Sequence, residues 1–182
     1  MKIFIGYLLV FFHIRLNGFD ILPDFIGYLL IYLGATTLYF KSDSLAKSRP
    51  ISIIMTVFSF LTVVGSIIGI NYNSAVFVAL NFVSVILVLY LTYLVVKGIQ
   101  EIEKYDNIYL LGDKTEKVFK VQVFVNIISE ILTIPVSLFQ SEAVAIILSL
   151  FLIAVMVVNV ILLVHIFNAK KLYDYEMEQK SR

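Results

Sequence analysis

Five polar side chains, Gln122, Asn126, Glu130, Thr133 and Ser137, recur at intervals of 4, 4, 3 and 4 residues inside an otherwise aliphatic stretch. That spacing puts all five on one face of an α-helix. Glu130 has the greatest chemical capacity of the five. It lies ten residues beyond Lys120, so at about 1.5 Å per residue its carboxyl is about 15 Å in, near the middle of a hydrocarbon layer about 30 Å thick. A carboxyl there must be neutral, paired or beside a wet cavity, which makes it a candidate site residue. Asn159 and Ser59 reach a similar depth and are its expected partners. For the rest of the stripe, hydrogen bonds to Ser52, Thr56, Ser59, Ser66, Asn81 or Ser84 on neighbouring helices are expected, and Pro135 predicts a kink just beyond Glu130.

A second group of chemically capable residues, His13, Arg15, Asp20 and Asp24, falls within a short segment near the N-terminus. The apolar runs flanking it are only 12 and 16 residues long, about 18 and 24 Å as helices, so their connection is expected to dip into the membrane. Irregular backbone at that depth is tolerated only inside protein or beside a wet cavity. Arg15 needs an anion, for which Asp20, Asp24 and Glu130 are the candidates. Pro23 and Asp24 also suit the first turn of a helix, where a carboxylate complements the dipole. Tyr28, Tyr32 and Tyr39 then share one face of that helix. The predicted binding set is therefore His13, Arg15, Asp20, Asp24, Tyr28, Tyr32, Glu130 and Asn159. One His with two Asp at no fixed helical spacing is a poor metal pattern, so no metal and no cofactor are expected.

The elements that must position these residues follow from composition. Of 182 residues, 60% are hydrophobic and 15% charged, against about 45–50% and about 25% in ordinary soluble domains. So few charges cannot cover so large an apolar excess, and lipid is the solvent that resolves it. Six apolar runs, residues 3–16, 25–40, 51–70, 75–96, 118–139 and 143–167, predict an all-α polytopic membrane bundle of six transmembrane helices. It is expected to form one integral membrane domain over residues 1–182, made of hairpins 1–45, 46–110 and 111–182. No small-residue cleavage site follows His13-Ile14-Arg15, so no removable signal peptide is expected. Thirteen of the fourteen Lys and Arg residues fall on one side of this arrangement, Arg15 being the exception. Positive charge is retained on the cytoplasmic side, so both termini are predicted to be cytoplasmic.

On that side, residues 97–120 read as a helical extension closed by Leu110-Leu111-Gly112, with Gly112 as a left-handed cap. Asp113 and Glu116 have the spacing of a capping box for the next helix. Tyr39, Tyr105, Tyr109, Tyr173 and Tyr175 are expected as interfacial anchors. Residues 74–76, 80 and 105–106 match 142–144, 148 and 173–174 at an offset of 68, the pattern of a parallel hairpin duplication. Gly65-Ser66-Ile67-Ile68-Gly69 has the spacing of a small-residue helix contact.

The stretch Phe19-Asp20-Ile21-Leu22-Pro23-Asp24-Phe25-Ile26-Gly27-Tyr28 resembles a group of small, uncharacterised multipass membrane proteins of Gram-positive bacteria that open on a short hairpin. The resemblance covers roughly the first 40 residues and implies a bacterial plasma-membrane location with the six-helix architecture. Size and topology are also similar to the substrate-capture subunits of energy-coupling-factor transporters, although Gly6-Tyr7-Leu8-Leu9-Val10 stands where their Ala-x-x-x-Ala contact would be. The Gly-x-Ser-x-Gly elbow, the His-Glu-x-x-His pair and the P-loop are absent, so no enzyme is expected. A net charge of +1 without an aromatic-interleaved basic stripe excludes a nucleic-acid surface. The functional expectation is a membrane-embedded binding or transport-associated module for a small solute or ion, its cavity open to the outer side. The alternative is an accessory subunit of a membrane complex, in which the polar groups only pack helices. The expected partners are the lipid bilayer with a small ligand or cation, or else a partner membrane protein or a second copy of the chain.

Overall fold

The computed structural model describes residues 1–11, 15–16, 19–20, 24–68, 75–139 and 142–181, with side chains over 1–11, 24–65, 68, 80–132 and 146–181. Among the described residues there are six α-helices: α1 (Lys2–Phe11), α2 (Asp24–Leu38), α3 (Asp43–Ile68), α4 (Ala75–Asp106), α5 (Gly112–Phe139) and α6 (Glu142–Ser181). A 3₁₀ turn, Tyr39–Lys41, joins α2 to α3. Between α1 and α2 lies a two-residue antiparallel ladder, β1 (Arg15–Leu16) with β2 (Phe19–Asp20), in which Arg15 is paired with Asp20.

Each helix packs on its sequence neighbours, and α6 returns to touch α1, so the six form a closed ring. Short connections enforce neighbour packing. The closing seam carries an aromatic contact, Phe4 on Phe167 with centroids 5.1 Å apart. Tyr7, Ile31, Met55, Leu91 and Leu162 are fully buried within the ring. The outer surface is just as apolar: Phe124 is 65% exposed and Leu150 62%, whereas Gln122 is 2% exposed. Water would penalise that arrangement and lipid would not. Over the described residues, α3, α4 and α6 are long and apolar enough to cross a membrane.

The first hairpin is short, as its runs predicted: α1 has 10 residues and α2 has 15. Its helices cross at glycines. A Cβ on Gly6 would lie 2.6 Å from the Gly27 carbonyl oxygen, and one on Gly27 would lie 2.7 Å from the Gly6 oxygen. Small residues let backbones approach this closely, and here they do so at a pair that the spacing of residues 65–69 did not indicate.

Two boundary expectations are corrected. The polar residues 43–49 belong to α3, which starts at Asp43 and carries Pro50 inside it. Ser42 caps that helix, its hydroxyl accepting from the Leu45 N–H at 3.0 Å. The helix through residue 97 ends earlier than expected, at Asp106. Asn107 takes the left-handed conformation (φ 51°) and the Ile108 N–H donates to the Glu103 carbonyl at 3.1 Å, a Schellman closure. Gly112 instead opens α5.

Candidate binding cavity at the lysine-rich end

The start of α1, the end of α2, the start of α3, the end of α4, the start of α5 and the last third of α6 meet at one end of the ring. Lys41, at the end of the turn between α2 and α3, ties α4 and α6 together. Its ammonium donates to both carboxylate oxygens of Asp106, at 2.7 and 2.9 Å, and to the Tyr173 hydroxyl at 3.0 Å. The rings of Phe40, Tyr105 and Tyr173 lie 5.3–5.8 Å from the same nitrogen, within cation–π range. The Lys41 and Asp106 side chains are only 13% and 12% exposed. Burial alone would lower the lysine pKa, but the bonds to Asp106 and Tyr173 outweigh it and hold the pKa above the ordinary value. Tyr105 and Tyr173 are matched positions of the offset-68 similarity, and the one ammonium touches both rings.

Two glutamates of α4 fasten the helix starts beside it. Glu101 accepts from the Ser42 hydroxyl at 2.6 Å, the Ser44 hydroxyl at 2.6 Å and the Ser44 N–H at 3.0 Å, placing a carboxylate at the positive end of α3. Glu103 accepts from the Leu110 and Gly112 N–H groups at the start of α5. A side chain on Gly112 would collide with that carboxylate. This cap comes from a neighbouring helix and replaces the expected box. Asp113 and Glu116 instead accept from the Gln100 amide, at 3.3 and 2.6 Å. Arg49 finds no carboxylate among the described residues. Its guanidinium lies 4.9 Å from the Tyr39 ring and 5.8 Å from that of Tyr32.

Inside this polar collar the ring forms a half-open cavity of about 300 Å³. Its walls are Ile3 of α1, Leu38 of α2, Leu45 of α3, Val95, Ile99 and Ile102 of α4, and Ile166 and Ala169 of α6, with Leu110 beyond. Thr37 brings a hydroxyl to the wall, but that group already donates to the Gly34 carbonyl at 2.6 Å. Lys2, Lys170 and Tyr173 border the cavity at the lysine-rich end.

The predicted site residues are distributed otherwise. His13 lies outside the described residues, and Arg15 and Asp20 are described only as ladder partners. Whether their side chains meet Glu130 is outside the described structure. Asp24 stands in the first turn of α2, where the dipole argument put it. Tyr28 is a core residue, 4% exposed, and the Tyr32 ring lies 5.8 Å from the Arg49 guanidinium. Glu130 is half-buried on α5, without an ion-pair partner among the described residues. Asn159 does not pair with it as expected, because the Asn159 Oδ1 accepts from the Gln122 amide at 2.8 Å. Ser52 and Thr56 do not reach across to the stripe either. Their hydroxyls donate to the carbonyls of Ser48 and Ser52 in their own helix, at 2.9 and 2.7 Å. Helix α5 runs on through Pro135 to Phe139.

No protein-family model, curated protein or solved structure matches the chain.

Sequence reasoning passed over the cavity and its collar. In the sequence Lys41 counts only among the cytoplasmic basic residues, Asp106 only within the offset-68 match and Tyr173 only as an interfacial ring, since nothing in their local sequence separates a buried pair from an exposed one. The wall residues carry only the ordinary helical apolar signal.

Proposed function

We propose that this chain is an integral protein of a bacterial plasma membrane, crossing it six times with both termini cytoplasmic. It acts there as a non-enzymatic binding module whose site is the cavity at the lysine-rich end. The observation that carries this reading is a concave, apolar, half-open space with few polar groups at its border, which is the ordinary form of a small-molecule site. The lysine distribution assigns that end to the cytoplasm. The reading moves the binding site away from the outer-side segment of residues 13–24. A second reading, an accessory subunit, is favoured by the Gln122–Asn159 pair, in which two of the most polar side chains of the bundle are spent on each other.

Native mass spectrometry of protein released from its host membrane tests the first reading. A small-molecule adduct should accompany the wild type and be lost in Ala169→Leu, which fills the cavity from α6. A wild type free of any adduct would favour the accessory subunit. Single cysteines test the orientation, with no native Cys to interfere. Those at Asn73 and Ser141 should label from outside intact cells, and those at Ser44 and Asp113 should not.

A further inference from the structure

The cavity wall and its border differ sharply in chemistry, and the difference specifies an occupant. The wall side chains offer no free hydrogen-bond donor, since the Thr37 hydroxyl already donates to Gly34, and its oxygen is the single polar side-chain atom among them. A sugar, amino acid or hydrated ion placed inside would lose its bonds to water and gain at most one, at a cost of several kcal/mol for a charged group. A hydrocarbon chain loses nothing there. An apolar cavity of about 150 Å³ takes one benzene, so about 300 Å³ accommodates roughly a dozen carbons.

At the border the chemistry reverses. Lys2 is exposed and makes no ion pair among the described residues, and Lys170 is paired only with Asp174 of its own helix. The Tyr173 oxygen accepts from Lys41, a group that can only donate, so the phenolic proton remains available to an incoming acceptor. The side-chain ammonium groups of Lys2 and Lys170, beside the Met1 amino group, and a phenol donor face the Asp174 carboxylate, a balance that favours an anion. If this end is cytoplasmic, the border also lies at the level of the membrane's headgroups, where such a molecule would arrive.

We infer that the cavity holds a single-chain anionic amphiphile, its alkyl chain of roughly a dozen carbons among the wall residues and its phosphate or carboxylate head between Lys2, Lys170 and Tyr173. This rests on the binding-module reading and names its ligand class.

The test uses the full chain in nanodiscs of zwitterionic lipid, with dodecyl phosphate, dodecanoate, dodecanol and dodecyltrimethylammonium as probes below their micellar concentrations. Dodecyl phosphate and dodecanoate should raise the melting temperature and bind at least tenfold more tightly than the alcohol or the cation. Lys2→Gln with Lys170→Gln should remove that tenfold preference while the unliganded protein melts as before, because both residues are at the surface. Ala169→Leu should abolish binding of all four probes. Tightening should level off near twelve carbons across octyl, dodecyl and hexadecyl phosphates. Equal binding of dodecanol and dodecyl phosphate would overturn the anionic assignment and leave the binding module standing. Affinity that climbs through hexadecyl phosphate equally in wild type and Ala169→Leu would mean bilayer partitioning alone and overturn the inference. Failure of every probe, with no adduct on the native protein, would remove the binding-module reading itself.

Discussion

At the lysine-rich end, polar side chains bond from one element to another, whereas further along the bundle they bond almost entirely within their own helix. Lys41 reaches Asp106 and Tyr173, and Glu101 reaches Ser42 and Ser44. By contrast, among the described residues Ser48, Ser52, Thr56 and Thr92 each return a hydroxyl to a carbonyl one turn back, while Gln122 and Asn159 bond to each other between helices. The preceding turn of the same helix offers each of these hydroxyls a carbonyl within reach, and no long acidic side chain such as Glu101 comes to meet them, so that is where they go. Shape must then supply the specificity that polar bonds do not, and the Gly6–Gly27 crossing is where shape is least forgiving.

The comparison breaks most visibly at that crossing. Gly6→Ala or Gly27→Ala places a methyl group within 2.6–2.7 Å of a backbone carbonyl, and because no side-chain rotation relieves it the helices must separate. Each change should cost about 3 kcal/mol, the upper part of the usual overpacking range. Reversible unfolding in mixed micelles measures it. A loss below about 1 kcal/mol, within what volume-conserving changes cost, would mean that α1 and α2 are not held by close approach.

Lys41→Met probes the other region. The pair is mostly buried but borders solvent, so the loss should lie between the small contribution of exposed pairs and that of buried ones, about 2 kcal/mol. The sign of its pH dependence follows from the raised lysine pKa. Stability from Lys41 is fully present below its ordinary value of 10.5 and is lost as pH rises through the higher folded value. Melting temperatures recorded from pH 8 upward should therefore fall beyond about pH 10.5, and less steeply in Lys41→Met. Parallel curves for the two proteins would place that lysine outside the network.

The smallest effect belongs to the Gln122–Asn159 contact between α5 and α6. A double-mutant cycle with Gln122→Leu and Asn159→Leu should give a coupling near 0.6 kcal/mol, the average for such bonds in membranes. A coupling above about 2 kcal/mol would mean that polar bonds specify this part of the bundle as well, and the contrast between the two regions would collapse.

How much of this was legible beforehand depends on the range over which each cause acts. The first hairpin's brevity was readable from run lengths, and Asp24 was placed in a first helical turn by its neighbour Pro23, because both are local. The Schellman closure at Asn107 was missed because Gly112 offered the stronger left-handed signal, while the glycine's lack of a Cβ was needed for the Glu103 carboxylate. Asn159 was matched to Glu130 by depth alone, and depth does not say which residue of α5 faces α6.

Composition and periodicity by themselves determined that the chain is helical, apolar on every side and charged at one end. These follow from solvent preference and the 3.6-residue repeat, which a linear string carries in full. Only the tertiary structure decided that α6 closes on α1, that glycines on α1 and α2 meet, and that Lys41, Asp106 and Tyr173 gather around an apolar cavity. Each of these joins residues from elements far apart in sequence, and the rotation of each helix about its axis, which sets the partners, is fixed by packing against neighbours and not by any local pattern.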